Sequence, residues 1–183
     1  MTEHTLNPHL IAPPPAAFTV RARAELTPAG TALEVVYRLC GDLTQARIPA
    51  PAAARRVDRL WERTCFEAFV RPEEGDRYFE LNFSPSSEWA AYALERYRHG
   101  QRPLLLPSPP RISVQQEANE LCVTARVDLG VMADARLPWH VGLTAVVADA
   151  DGRLTYWALR HPRPKPDFHD AAGFLVRLEG PGR

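Results

Sequence analysis

The chain has no net charge: Lys plus Arg number 22, as do Asp plus Glu. Nucleic-acid and anionic-membrane partners favour a basic excess, so neither is expected. No stretch approaches the ~20 apolar residues of a membrane span. The opening MTEHTLNPHLIAPPP has neither the basic region nor the apolar run of a signal peptide, which makes a cytoplasmic location the expectation. Cysteines are few and odd in number. Cys40, Cys65 and Cys122 each lie in an apolar, strand-like run and read as buried free thiols. A glycine-rich phosphate loop, a Gly-x-Ser-x-Gly elbow and a His-Glu-x-x-His pair are all missing, which counts against the common enzyme classes.

Proline, by contrast, is plentiful. The 18 prolines cluster at 13–15, at 49 and 51, within 103–110 and within 162–166. Proline is excluded from central strands and helix interiors, so these clusters mark connections. Between them run short segments with a period of two, such as residues 18–26 (FTVRARAEL), 64–71 (TCFEAFVR) and 77–83 (RYFELNF). The turn PEEGD joins the last two as a hairpin, and ADADG at 148–152 is a stronger hairpin signal because Asp-Gly supplies positive φ. EANE at 117–120 does the same less emphatically. Residues 89–98 (WAAYALERYR) have a helical composition but follow RYFELNF across PSSE as a hairpin arm would, which favours strand.

Nine or ten short strands without βα alternation predict an all-β fold. The expectation is an antiparallel β-sandwich, jelly-roll or immunoglobulin-like, with at most one short helix. A flexible segment at 1–15 would precede a single domain at 16–179. A chain of 183 residues buries roughly two-thirds of its unfolded surface, enough to fold without a disulfide or metal staple.

Alternation in RYFELNF sends Phe79, Leu81 and Phe83 to one face and Tyr78, Glu80 and Asn82 to the other. In TCFEAFV, Phe66, Ala68 and Val70 oppose Cys65, Glu67 and Phe69. If the two strands pair, Glu67 and Glu80 approach one another on the non-core face. That face has three readings: a solvated surface, a ligand face of hydrogen-bond acceptors and aromatics, or a glycosidase acid/base pair. Trp61 and Trp157 each adjoin a polar cluster, and the stiff segment PRPKPDFH offers a pocket rim. His161, Asp167 and His169 match no standard metal-ligand spacing, so no metal is expected.

Three ordered blocks, LWERTCFEAF, YFELNFSPSSEWAAY and LTYWALRHPRPKPDFHDAAGFLVRLE, resemble the DOMON-like superfamily. The similarity is to bacterial DOMON-like proteins akin to family nine carbohydrate-binding modules, and it spans roughly residues 61–178. It implies a β-sandwich that binds sugars or haem, generally without catalysis. Positions matching the sugar-binding relatives are Trp61, Glu67, Glu80, Asn82 and Trp157. Haem-binding relatives use Met with His or Lys, for which the chain offers Met1 and Met132.

The leading expectation is a non-catalytic module for a carbohydrate or sugar-like metabolite. Glu67, Glu80 and Asn82 would bond hydroxyls, with Arg96 as a further donor. Trp61 and Trp157 would stack, while His161, Lys165 and His169 line the rim. No cofactor is called for by this expectation. Its first rival, a haem or redox-carrier domain, would hold haem. A protein-interaction domain is a second rival, and a glycoside-processing enzyme a third. The sequence leaves ligand identity and oligomeric state open.

Overall fold

The computed structural model describes residues 2–14, 17–27, 32–128, 130 and 138–179. Among them are twelve β-strands and only single 3-10 turns by way of helix. The strands are β1 (His4–Pro8), β2 (Thr19–Leu26), β3 (Ala32–Cys40), β4 (Cys65–Pro72), β5 (Tyr78–Phe83) and β6 (Trp89–Leu94). They continue with β7 (Arg102–Pro103), β8 (Arg111–Gln116), β9 (Glu120–Asp128), β10 (Trp139–Ala148), β11 (Leu154–Ala158) and β12 (Val176–Leu178). All pairings between them are antiparallel, in the order β7-β6-β5-β4-β10-β11-β1-β2-β3-β9-β8, with β12 on β10.

The all-β antiparallel expectation holds. Two details differ from it. The described strands outnumber the nine or ten expected, and they form one continuous sheet where two separate sheets were anticipated. The extra strands are the two-residue β7 and β1, and β1, which falls within the segment expected to be flexible, is what joins the sheet. It pairs with β2 on one side and with β11 on the other, and Leu6 at its centre is 1% exposed. Burying that leucine between two ladders ties the N-terminal segment to the fold.

The sheet curls so that β3 faces β4 across the main core. Tyr37 stacks on Phe66 with ring centroids 5.0 Å apart, and its buried hydroxyl donates to the Glu67 carbonyl at 2.6 Å. Core side chains follow the period of two: Val35, Tyr37 and Leu39 from β3, Phe66, Ala68 and Val70 from β4, and Phe79, Leu81 and Phe83 from β5.

Local chemistry accounts for the hairpins. In the β10–β11 turn Asp149 Oδ1 accepts the N–H groups of Asp151 and Arg153 at 2.9 and 2.8 Å, and Gly152 takes φ 87°. The Trp89 segment is a strand, with Phe83 opposite Trp89 in register, and its six residues are all buried. An amphipathic helix would leave one side exposed; here both faces are covered. Cys65 and Cys122 are buried and Cys40 half-buried, all three as free thiols. No helix among the described residues is long and apolar enough to cross a membrane.

Candidate functional site

The outward face of β4, β5, β6, β10 and β11 is not a solvated surface. A second hydrophobic cluster covers it, formed by Cys65, Phe69, Tyr78, Ala90, Tyr92 and Leu94 from the strands with Leu60 and Phe174 from flanking segments. Val57, Trp61 and Phe168 pack against its edge. A cavity of about 440 Å³ is left between this cover and the sheet, reaching down to Glu67, Phe69, Glu80 and Val146. Trp61, Leu154, Tyr156, Pro166, Phe168 and His169 line it higher up, and the exposed Glu62, Arg98 and Gln101 sit at its mouth.

Cross-strand register explains the floor. Glu67 lies opposite Asn82 and Thr144, while Glu80 lies opposite Phe69 and Tyr92. The two glutamates are therefore diagonal neighbours on one face. Both are buried, at 2% and 3% exposure. Glu67 Oε2 accepts from the Thr144 hydroxyl at 3.3 Å, and Glu80 Oε1 accepts from the Asn82 side-chain amide at 2.9 Å. Burial pushes the Glu67 carboxyl well above its usual range, and the Glu80 charge adds to the effect. Burial also raises Glu80, against the pull of the Asn82 hydrogen bond and of Arg98.

The wall is fixed by a polar chain. Tyr78 Oη accepts the backbone N–H of Arg98 at 3.2 Å and lies 2.8 Å from His169 Nδ1. Burial, reinforced by Arg98, lowers the His169 pKa to about 4, so the ring is neutral near pH 7. Arg98 occupies the left-handed region at φ 52°, an arrangement held by its ion pair to Asp167 at 2.9 Å. Burial opposes ionisation of Asp167, but hydrogen bonds from Tyr97, Arg98 and the His169 N–H hold its carboxyl below the usual range.

The expected site residues thus divide. Trp61, Glu67, Glu80 and His169 come together at the cavity, and Asn82 supports Glu80 from the fully buried floor. Trp157 does not join them. It is 2% exposed in the main core, with its indole N–H donated to Thr155 Oγ1 at 2.9 Å. Along β11, Leu154 and Tyr156 face the cavity and Thr155 and Trp157 the core, a parity hidden from the sequence because each face of LTYWA carries one aromatic and the polar Thr155 shares the core face with Trp157. Arg96 is exposed in a turn bridged to His99, and Arg98 two residues later takes the position at the cavity. His161 is half-buried away from the cavity, bonding the Asn7 carbonyl at 2.8 Å and meeting His9 edge-on at 4.6 Å. Lys165 is exposed and does not line the cavity, although the adjacent Pro166 does. The sequence reading missed Tyr156, Arg98 and Gln101, and it noticed Phe168 only as part of a stiff segment. Met1 and Met132, the haem candidates, lie outside the described residues. Among those residues no group of three or more His, Cys, Asp or Glu is arranged to hold a metal.

Comparison with known proteins is informative at the level of structure only. No protein-family model matches the sequence, and no curated protein does. Among solved structures, the chain is similar to a Bacteroides uniformis protein to which carbohydrate binding has been ascribed. Their TM-score is 0.71 at 14% identity, over 98% of this chain and 86% of that one. It is also similar to a carbohydrate-binding module of family 9 from Caldicellulosiruptor kristjanssonii, solved with glucose and with cellotriose. The glucose complex gives a TM-score of 0.52 at 11% identity, over 97% of this chain and 84% of that one. The cellotriose complex gives 0.51 at 11%, over 97% and 83%. The chain shares the fold of these modules.

Proposed function

We propose that this protein is a non-catalytic, DOMON-like module that binds a carbohydrate or sugar-like metabolite in the cavity above Glu67 and Glu80. The observation that carries the reading is that cavity, whose volume of about 440 Å³ suits one or two sugar rings and whose lining joins four aromatic side chains to two buried carboxylates. Trp61, Phe69, Tyr156 and Phe168 supply apolar surface for the C–H faces of a ring. Glu67 and Glu80 accept from hydroxyls, and His169, Arg98 and Gln101 hydrogen-bond to them. Two structures of the same fold hold glucose and cellotriose, which supports a sugar as the class of ligand.

Thermal unfolding against a panel of sugars, sugar phosphates and nucleotide sugars tests this reading. A ligand at a hundred times its dissociation constant stabilises by about 2.7 kcal/mol. That raises the midpoint of a domain this size by roughly 5 to 10 °C. The shift is expected for one class of sugar and is expected to disappear in Trp61→Ala. A flat response across the whole panel removes the carbohydrate reading.

A further inference from the structure

The charges around the cavity do not balance, and the imbalance lies at its floor. Of the five acidic and basic side chains that line it, Glu62 at the mouth is paired with Arg59. Arg98 is paired with Asp167, so its charge is already matched. His169 is neutral near pH 7. Glu67 and Glu80 remain, both more than nine-tenths buried, and neither has an ion-pair partner among the described residues. Each bonds through one carboxylate oxygen only, Glu67 through Oε2 to Thr144 and Glu80 through Oε1 to Asn82. Glu67 Oε1 and Glu80 Oε2 accept no hydrogen bond from the described residues.

A buried carboxylate without a cation is costly unless something compensates it. A cation placed between the two acids removes that cost and favours their ionised form, in which the depth of this cavity offers acceptors in excess of donors. A neutral sugar hydroxyl both donates and accepts, so it uses such a site incompletely. A group that only donates and carries positive charge uses it fully. The aromatic walls favour the same group, because the faces of Trp61, Phe69, Tyr156 and Phe168 present negative π density that attracts cations.

Building on the carbohydrate reading above, we propose that the ligand is an amino sugar whose protonated amine sits between Glu67 and Glu80 on the cavity floor. Its ring stacks against Trp61 and Phe168, and its remaining hydroxyls meet His169, Arg98 and Gln101. The ammonium supplies three N–H donors for the two free carboxylate oxygens.

The test is isothermal titration at pH 7 with matched sugars that differ only at C2: glucosamine, glucose and N-acetylglucosamine, and the corresponding galactose series. Within the series that binds, the amine is expected to bind at least about tenfold more tightly than the hydroxyl or acetamide, a difference of about 1.4 kcal/mol. Glu67→Gln and Glu80→Gln keep the shape of the floor and remove its charge. Each is expected to erase that preference, so that whatever affinity remains is the same for the amine and the hydroxyl within about twofold. Equal or weaker binding of the amino sugars overturns the amine assignment and leaves the carbohydrate reading standing. Failure of all six sugars to bind overturns the amine assignment, and the carbohydrate reading falls with it when the whole thermal-unfolding panel is flat as well. If a Gln variant does not fold, the comparison on the wild-type protein still decides.

Discussion

Strands β4 and β5 bury both of their faces, but with opposite chemistry. On one face Phe66, Ala68, Val70, Phe79, Leu81 and Phe83 join the main core, and no polar group needs a partner there. On the other, Glu67, Glu80 and Asn82 are as deeply buried as the phenylalanines and hold their places through a few side-chain hydrogen bonds. The first face gains free energy from removing apolar area from water. The second spends some of it on desolvated carboxylates. An arrangement that costs stability and opens onto a cavity is suited to a ligand, because the missing partner arrives when the ligand does.

The two tryptophans separate the faces most sharply. Trp157 lies in the main core and Trp61 is half-buried at the cavity. Trp157→Ala is expected to destabilise by about 3 to 5 kcal/mol, the usual cost of truncating a core tryptophan. The midpoint should fall by roughly 6 to 20 °C at 2 to 4 °C per kcal/mol. Trp61→Ala is expected to cost only about 1 kcal/mol, the typical effect of a single substitution, while abolishing the ligand-induced shift. Equal midpoints for the two variants would erase the distinction between a structural face and a binding face.

The next contrast is between acids. Glu88, 6% exposed in its side chain, accepts from Arg55 at 2.9 Å, from Arg63 at 3.0 Å and from Ser86 at 3.1 Å. It lines a separate cavity of about 480 Å³ with Arg47, Arg63 and Ser86, but its charge is fully answered by the protein. Glu88→Gln breaks those charge-assisted bonds. The arginines are substantially exposed and their attraction is screened, so the expected loss at pH 7 is about 1 kcal/mol, measurable in urea. Any ligand bound over Glu67 should be unaffected.

The architecture was largely legible because period-two patterning and turn chemistry act locally. ADADG, PEEGD and EANE each sit between strands that pair, and RYFELNF divides into the two faces its alternation requires. Properties that depend on distant partners were harder to read. The pairing of β1 with β11 joins residues about 150 positions apart, and nothing within HTLNP announces it. The same holds for the cover over the second face, supplied by segments near Trp61 and Phe168; without it Glu67 and Glu80 would look like a solvated row. For Trp157 the parity of β11 decides the outcome, and the pattern misleads because the polar Thr155 shares its core face. Arg98 and Tyr156 were within reach, one two residues beyond a chosen arginine and the other beside a chosen tryptophan, but their selection requires the register of the whole sheet.

Opposite pH dependences should make the smallest of these effects visible. Glu67 has its pKa raised above the ordinary 4.5 by burial and by Glu80, so the folded state binds its proton more tightly than the unfolded chain. Its contribution is complete below pH 4.5 and is lost as pH rises toward the folded value. In Glu88, burial pulls upward but hydrogen bonds from Arg55 and Ser86, with the charge of Arg63, leave the pKa below 4.5. Its contribution is present above pH 4.5 and disappears as pH falls through the folded value. Melting curves from pH 3 to 9 should therefore diverge in opposite directions. Relative to wild type, Glu67→Gln should gain steadily above pH 4.5, because an amide carries no charge to desolvate. Glu88→Gln should lose most at neutral and alkaline pH and converge with wild type in acid. A saturating amino sugar should reduce the advantage of Glu67→Gln by stabilising wild type more than the variant, since the ammonium then supplies the counter-charge that the floor lacks. If Glu67→Gln keeps that advantage with such a sugar bound, its carboxylate is not what the ligand meets.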